Sequence, residues 1–262
     1  MLHAAIILLV FVLTYVGMAA GRLPWLQVDR TGIALLGVIA LLGTETVTLD
    51  DLGATIDFST LVLLFALMII SAQFVGSGVY DACAEWMVSN RRSPAGLLAL
   101  TVAVCGGLSA LFTNDILVFT LAPLIVAGAR AKSLDPRPFL IALCGASNAG
   151  SAATLIGSPQ NILIGQVGNL SFTTYVLISV VPAAAALVAL FAVIWVVWHD
   201  RLEGTVAALA SEVPDVPRHP YDSRQTVKGL VAMGLLLALF MTPLPREIGG
   251  LLIAALLMSD RK

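Results

Sequence analysis

Charge is what this sequence has least of. Only 11% of its 262 residues are Asp, Glu, Lys or Arg, against about a quarter in an ordinary globular domain. No basic run occurs and the net charge is −2, so the electrostatic footprint of a nucleic-acid binder is missing. Cysteine is scarce as well. Cys83, Cys105 and Cys144 lack metal-ligand spacing and imply no disulfide framework, so they read as small apolar packing residues. There is no phosphate-binding loop and no histidine within an apolar run, so neither an enzyme nor a cofactor is expected. His199 and His219 fall in a polar segment and read as solvated, and His3 sits at the terminus. In place of charge the chain carries 59% apolar residues and a mean hydropathy of +0.97, the composition of a protein whose solvent is lipid.

A helix needs about 20 apolar residues to cross the hydrocarbon core. Spans are predicted at 2–20, 31–48, 58–78, 174–198, 227–242 and 247–259. The first lacks a basic n-region and reads as a spanning helix rather than a cleaved signal. Two stretches fit badly. Residues 95–129 are apolar but broken by Thr113-Asn114-Asp115, and 138–168 by "SNAGSAATLIGSPQN". Arg91 and Arg92 precede the first stretch, while Arg130, Lys132 and Arg137 follow it. Because cytoplasmic loops collect Lys and Arg, both flanks should lie inside, which requires a hairpin that enters and leaves on one face. Carried along the chain, this choice puts thirteen of the fourteen basic residues inside and leaves Arg246 outside. The acidic loop 49–57 then lies outside too, as does the N-terminus, in a multi-pass protein of the plasma (inner) membrane. Asp81, Glu85 and Trp86 in "YDACAEWMVSNRR" fit an interfacial helix at the cytoplasmic face.

The two interruptions carry the chemistry. Unpaired backbone at membrane depth is tolerated only where it is buried in protein or lines a wet cavity. Pro159 lacks an N–H and Gly157 is permissive, so the second stretch should unwind there, as helices do around substrate and ion in transporters. A carboxylate such as Asp115 costs roughly 3 kcal/mol in a membrane helix unless paired, protonated or functional. Small residues also serve close helix packing, which suffices for Gly17-x-x-x-Gly21. It does not account for a dozen polar and glycine positions in one break.

At this pair of motifs the chain resembles the ion transporter superfamily, which contains divalent anion/sodium symporters, citrate transporters, arsenite permeases and sodium/proton antiporters. In the symporter branch a re-entrant hairpin carries Ser-Asn-Thr at its tip, and the next, broken helix carries Gly-[Ser/Thr]-Pro-Pro-Asn. Here the two read Thr113-Asn114-Asp115 and Gly157-Ser158-Pro159-Gln160-Asn161. The resemblance implies an all-α integral membrane fold, an inverted-repeat secondary transporter with a re-entrant helical hairpin and a discontinuous helix. It implies a site whose one wall is Thr113, Asn114 and Asp115. The other wall is Ser147, Asn148, Gly150, Thr154, Gly157, Ser158, Pro159 and Asn161, with a candidate Na+ position at Asn114, Asp115 and Asn148. The expected activity is secondary active transport of small anions, dicarboxylate- or citrate-like or oxyanions, coupled to Na+ or H+. The alternatives are cation/proton antiport, arsenite-type efflux, and a non-transporting fragment or scaffold.

Two departures bear on mechanism. Asp115 replaces the tip Thr and brings a charge, closer to the Asn-Asp tip of arsenite permease-like members. Gln160 replaces the second Pro. "GRLPWLQVDRTGIALLGVIALL" and "MTPLPREIGGLLIAALLM" both read helix, Pro-containing turn, helix, which suggests the opening of an inverted repeat. On this reading residues 1–198 form a first repeat, 199–226 a cytoplasmic linker, and 227–262 the first two helices of a second, apparently truncated repeat. A homodimer or a separately encoded second half would then complete the site. Alone, the broken helix would leave backbone groups unsatisfied.

Overall fold

The computed structural model describes residues 2–21, 28–90, 93–202, 219–242 and 244–259. Several sequence landmarks lie outside the described residues: Arg22 and the turn after it, Arg91 and Arg92, the middle of the linker with Arg218, Arg261 and Lys262. Among the described residues there are twelve helices and no strand. These are α1 (Leu2–Ala20), α2 (Arg30–Gly43), α3 (Leu49–Thr55), α4 (Phe58–Gly76), α5 (Val79–Asn90), α6 (Pro94–Ser109), α7 (Asn114–Ala131), α8 (Arg137–Ser151), α9 (Pro159–Val167), α10 (Phe172–Leu202), α11 (Ser223–Phe240) and α12 (Arg246–Ser259). The fold is all-α. Among the described residues, four stretches are long and apolar enough to cross a membrane: His3–Ala20, Phe58–Gly76, Asn114–Ala131 and Phe172–Asp200. Their outward residues are apolar, as in α10, where Val180, Val181, Val188, Val193, Val196 and Val197 are all exposed.

The helices fall into two units, residues 1–57 and 58–262. In the first, α1 packs on α2 with Gly17 against Ile33 and Gly37 against Thr14. The sequence predicts a span to residue 48, but α2 stops at Gly43, because the Thr44 hydroxyl accompanies its own backbone N–H onto the Ala40 carbonyl and caps the helix. The expected acidic loop 49–57 contains α3, closed by a capping box in which the Asp51 carboxylate accepts from the Thr48 hydroxyl at 2.7 Å and from its N–H at 2.9 Å. Those two donors hold the Asp51 carboxyl below its ordinary value.

The second unit carries the interrupted motifs. Along α4, Leu63, Leu67, Ile70 and Phe74 are buried at helical spacing. Against them lie α12, with Gly250 at Leu63 and Ala66, and α11, with Gly229 at Phe74. On the other side α6 and α8 meet backbone to backbone, and α10 covers both through Leu187 and Leu190. Where water drives no association, such small-residue contacts let dispersion hold the helices together. At one end, Met87, Leu97, Ile125 and Phe139 line a single small gap, so the start of α6, the end of α7 and the start of α8 share one base. At the far end the 110–113 turn joins α6 to α7. The stretch 95–129 is therefore a helical hairpin in shape.

Candidate functional site

Four helix ends meet at the tip of that hairpin. The C-terminal ends of α6 and α8 face the N-terminal ends of α7 and α9, and hydrogen bonds that involve motif residues join them. The backbone N–H of Asn114 donates to the Gly157 carbonyl at 3.3 Å, linking the first turn of α7 to the break. The Asn114 amide Nδ2 donates to Asn148 Oδ1 at 3.3 Å. Asn148 in turn donates to the Cys144 carbonyl at 3.0 Å, which fixes its side chain against its own helix. Ser147 donates to the Asn114 carbonyl at 3.4 Å, and its own carbonyl accepts from Ser109 Oγ at 2.6 Å.

The break itself, residues 152–158, is buried except at Ala152. In such surroundings a carbonyl without a donor costs several kcal/mol. Asn161, in the first turn of α9, supplies two donations at once, to the carbonyls of Ser151 (2.9 Å) and Thr154 (3.1 Å). Thr154 Oγ1 donates to the Ala110 carbonyl across the break. Ser158 caps α9 by accepting from the Asn161 N–H at 3.3 Å, with Pro159 in the first turn where its missing N–H costs nothing. The expectation of unsatisfied backbone in this break is thus corrected at these carbonyls. The break carries its own polar side chains, and they do what a partner was expected to do.

Two glycines make the junction this tight. A Cβ on Gly150 would lie 2.1 Å from the Gly106 carbonyl oxygen, and one on Gly157 would lie 2.4 Å from that of Ser151 and 2.8 Å from that of Ser109. A side chain at either position would force the facing backbone to shift.

One polar atom at this crossing is left over. Asn114 Oδ1 is buried and has no hydrogen-bond partner. It is a neutral hard oxygen, beside the Asn148 amide and close to the positive ends of two helix dipoles. Thr113 is buried, makes no side-chain cap on α7, and places its hydroxyl 3.5 Å from that of Ser71 on α4. Asp115 is different. It stands exposed on the first turn of α7 and forms no hydrogen bond or ion pair with the other motif residues. The structure therefore brings together Asn114, Ser147, Asn148, Thr154, Gly157, Ser158 and Asn161, packs Gly150 against α6, and leaves Asp115 at the rim. Ser71, Ser109 and the Ala110 carbonyl belong to the same network and were not picked out from the sequence; a lone Ser in an apolar run carries no spacing signal.

A groove of about 600 Å³ lies elsewhere, between α5, α7 and the 219–221 segment. None of the motif residues lines it. His219, predicted to be solvated, is half exposed on its rim with Nδ1 3.7 Å from the Asp81 carboxylate. Of the cysteines, Cys105 is buried, Cys83 part-buried and Cys144 exposed on α8, so packing does not explain the last.

A model of the citrate transporter family matches residues 4–262. The chain belongs to the citrate transporter family. Among curated proteins it is similar to the silicon efflux transporter LSI3 of Oryza sativa subsp. japonica, 33% identical over 163 residues, which are 62% of this chain and 33% of that protein. It is similar to a putative transporter, arsB, of Dictyostelium discoideum, 24% identical over 176 residues, or 67% of this chain and 31% of that one. A 46 kDa membrane protein of Mycobacterium leprae is 31% identical over 175 residues, 66% of this chain and 41% of its own length. The chain thus spans well under half the length of these relatives. Membership of this family and the apolar helices make it a multi-pass membrane protein.

Proposed function

We propose that the chain supplies the N-terminal half of the transport site of a secondary active transporter for small anions, coupled to Na+ or H+. The observation that carries the reading is Asn114 Oδ1, a buried oxygen without a donor at the crossing of α6, α7, α8 and α9. A desolvated carbonyl of this kind costs free energy that a cation would recover. Asn114 and Asn148 offer hard oxygens suited to Na+, and the N-terminal ends of α7 and α9 favour an anion beside it. Exposed Asp115, Asn148 and Gln160 form the open side. A second copy or a separately encoded half would close the site from there.

Efflux of an arsenite- or silicate-like oxyanion is the second reading. It is favoured by the unpaired Asp115 at the rim and by the similarity to a silicon efflux transporter.

The test uses the purified chain in lipid nanodiscs. NaCl should raise its thermal midpoint where choline chloride does not, and at a hundred times the dissociation constant the gain is about 2.7 kcal/mol. Asn114→Ala should abolish the Na+ response. Asp115→Asn should leave it intact and remove any pH dependence if the carboxylate carries the proton. Citrate and arsenite, added with and without Na+, distinguish the two substrate readings. A chain indifferent to Na+, pH and both anions would overturn the proposal.

A further inference from the structure

Arg246 is the one basic residue that the threading of the chain leaves on the outer side. Its position in the structure supplies a reason. The helix α9 is nine residues long, about 13.5 Å at 1.5 Å per residue. Its N-terminal end carries Ser158 and Asn161. At its C-terminal end the N–H groups of Gly168, Asn169 and Leu170 donate to the carbonyls of Ile164, Gln166 and Gly165, and a carbonyl oxygen keeps a second acceptor position for a further donor. Arg246, the first residue of α12, reaches across and donates through Nη1 to the Gly165 carbonyl at 3.4 Å and through Nη2 to the Leu170 carbonyl. The next residue, Glu247, accepts from Ser59 Oγ on α4 at 3.3 Å. Successive residues of α12 thus grip α9 and α4.

We infer that Arg246 is a positioning residue for the ion site, acting through α9. The inference rests on the reading of the break as an ion site. The helix α9 also packs on α4, with Ile162 and Gln166 beside Leu63, so what Arg246 adds is a fixed tilt, and a tilt of about 10° moves one end of α9 by about 2 Å relative to the other. Asn161 holds two carbonyls at 2.9 and 3.1 Å, and such bonds weaken steeply with misalignment. Fixing the outer end of α9 keeps Asn161 and Ser158 where the walls of the site need them. Arginine suits the task because its planar fork reaches two carbonyls at once, and its charge sits at the negative end of the α9 dipole. Lysine would reach one of the two at a time.

The experiment combines two measurements on the full chain in nanodiscs. Amide hydrogen exchange over residues 159–170 should speed up about tenfold in Arg246→Ala, the mark of a local opening, with α6 and α8 unchanged. The Na+ concentration at half-maximal thermal stabilisation should rise about tenfold, the scale typical of residues that orient metal ligands. Arg246→Lys should recover part of both effects, and it also serves if the Ala variant does not fold. Unchanged exchange over 159–170, or an increase spread equally through α4 and α12, overturns the inference. Faster exchange with an unchanged Na+ midpoint also overturns it, since α9 would then be tethered without being positioned for the site. If the unaltered chain shows no Na+ response, the ion-site reading fails on its own, and exchange over 159–170 still decides whether Arg246 holds α9.

Discussion

Gly157 shows how a residue can be noticed for one reason and needed for another. In the sequence it reads as permissive backbone beside Pro159, a place for a helix to come apart. In the structure it is not among the left-handed positions, which among the described residues are Glu45, Ser133, Asn169, Gly21 and Gly78. What it provides is space, since the carbonyls of Ser151 and Ser109 occupy the volume of any side chain. Gly157→Ala and Gly150→Ala should each cost about 1–3 kcal/mol, the usual cost of overpacking, read as a fall of several degrees in thermal midpoint. Gly107→Ala is the control. Nothing lies within 4 Å of its added Cβ, and alanine favours helix by about 1 kcal/mol over glycine, so the midpoint should hold or rise. Proximity of this kind has no trace in a single sequence, because a glycine that turns the chain and one that lets another strand of backbone through look alike.

At the scale of the element, the helix pieces were legible and their mutual service was not. The apolar runs on either side of "SNAGSAATLIGSPQN" and the proline within it are enough to place a break, and α8 and α9 lie on its two sides. The assignment of Asn161 to a wall of the site missed that its amide is committed to the carbonyls of Ser151 and Thr154. Hydrogen bonds over seven and ten residues through an irregular turn follow no period, so patterning cannot forecast them. Asn161→Ala should therefore destabilise the chain by about 1–3 kcal/mol, the cost of leaving buried acceptors without donors, measurable by thermal unfolding without any ion present. An Asn161 that served only as an ion ligand would leave the ion-free midpoint unchanged.

For the whole molecule, the basic residues give a threading that helix packing does not. Ser93, which caps α6, and Ser133, just past α7, both lie at the base of the hairpin. In a cysteine-free background single cysteines at the two positions should label from the same side of the membrane, and that side should be cytoplasmic. Labelling from opposite faces would make α6 and α7 two independent crossings. Neutralising Arg130 and Lys132 together should weaken the orientation, because positive charge near span ends sets it. Arg246 resisted this treatment, since a charge tally knows only side and number, and what explains this residue is a pair of carbonyls some eighty positions upstream.

The unequal halves of the broken helix have an electrical consequence. With 15 residues in α8 and nine in α9, the break lies about 22 Å from one end and about 13.5 Å from the other. If the break binds the coupling cation from the α9 side and the membrane voltage falls evenly along this path, the ion crosses about two fifths of the field before it binds. At about 2.3 kcal/mol per elementary charge per 100 mV, that is roughly 0.9 kcal/mol, a four- to fivefold change in apparent affinity for each 100 mV. The external cation concentration at half-saturation should then fall by that factor for each 100 mV of hyperpolarisation, whereas a site at the surface would ignore the voltage.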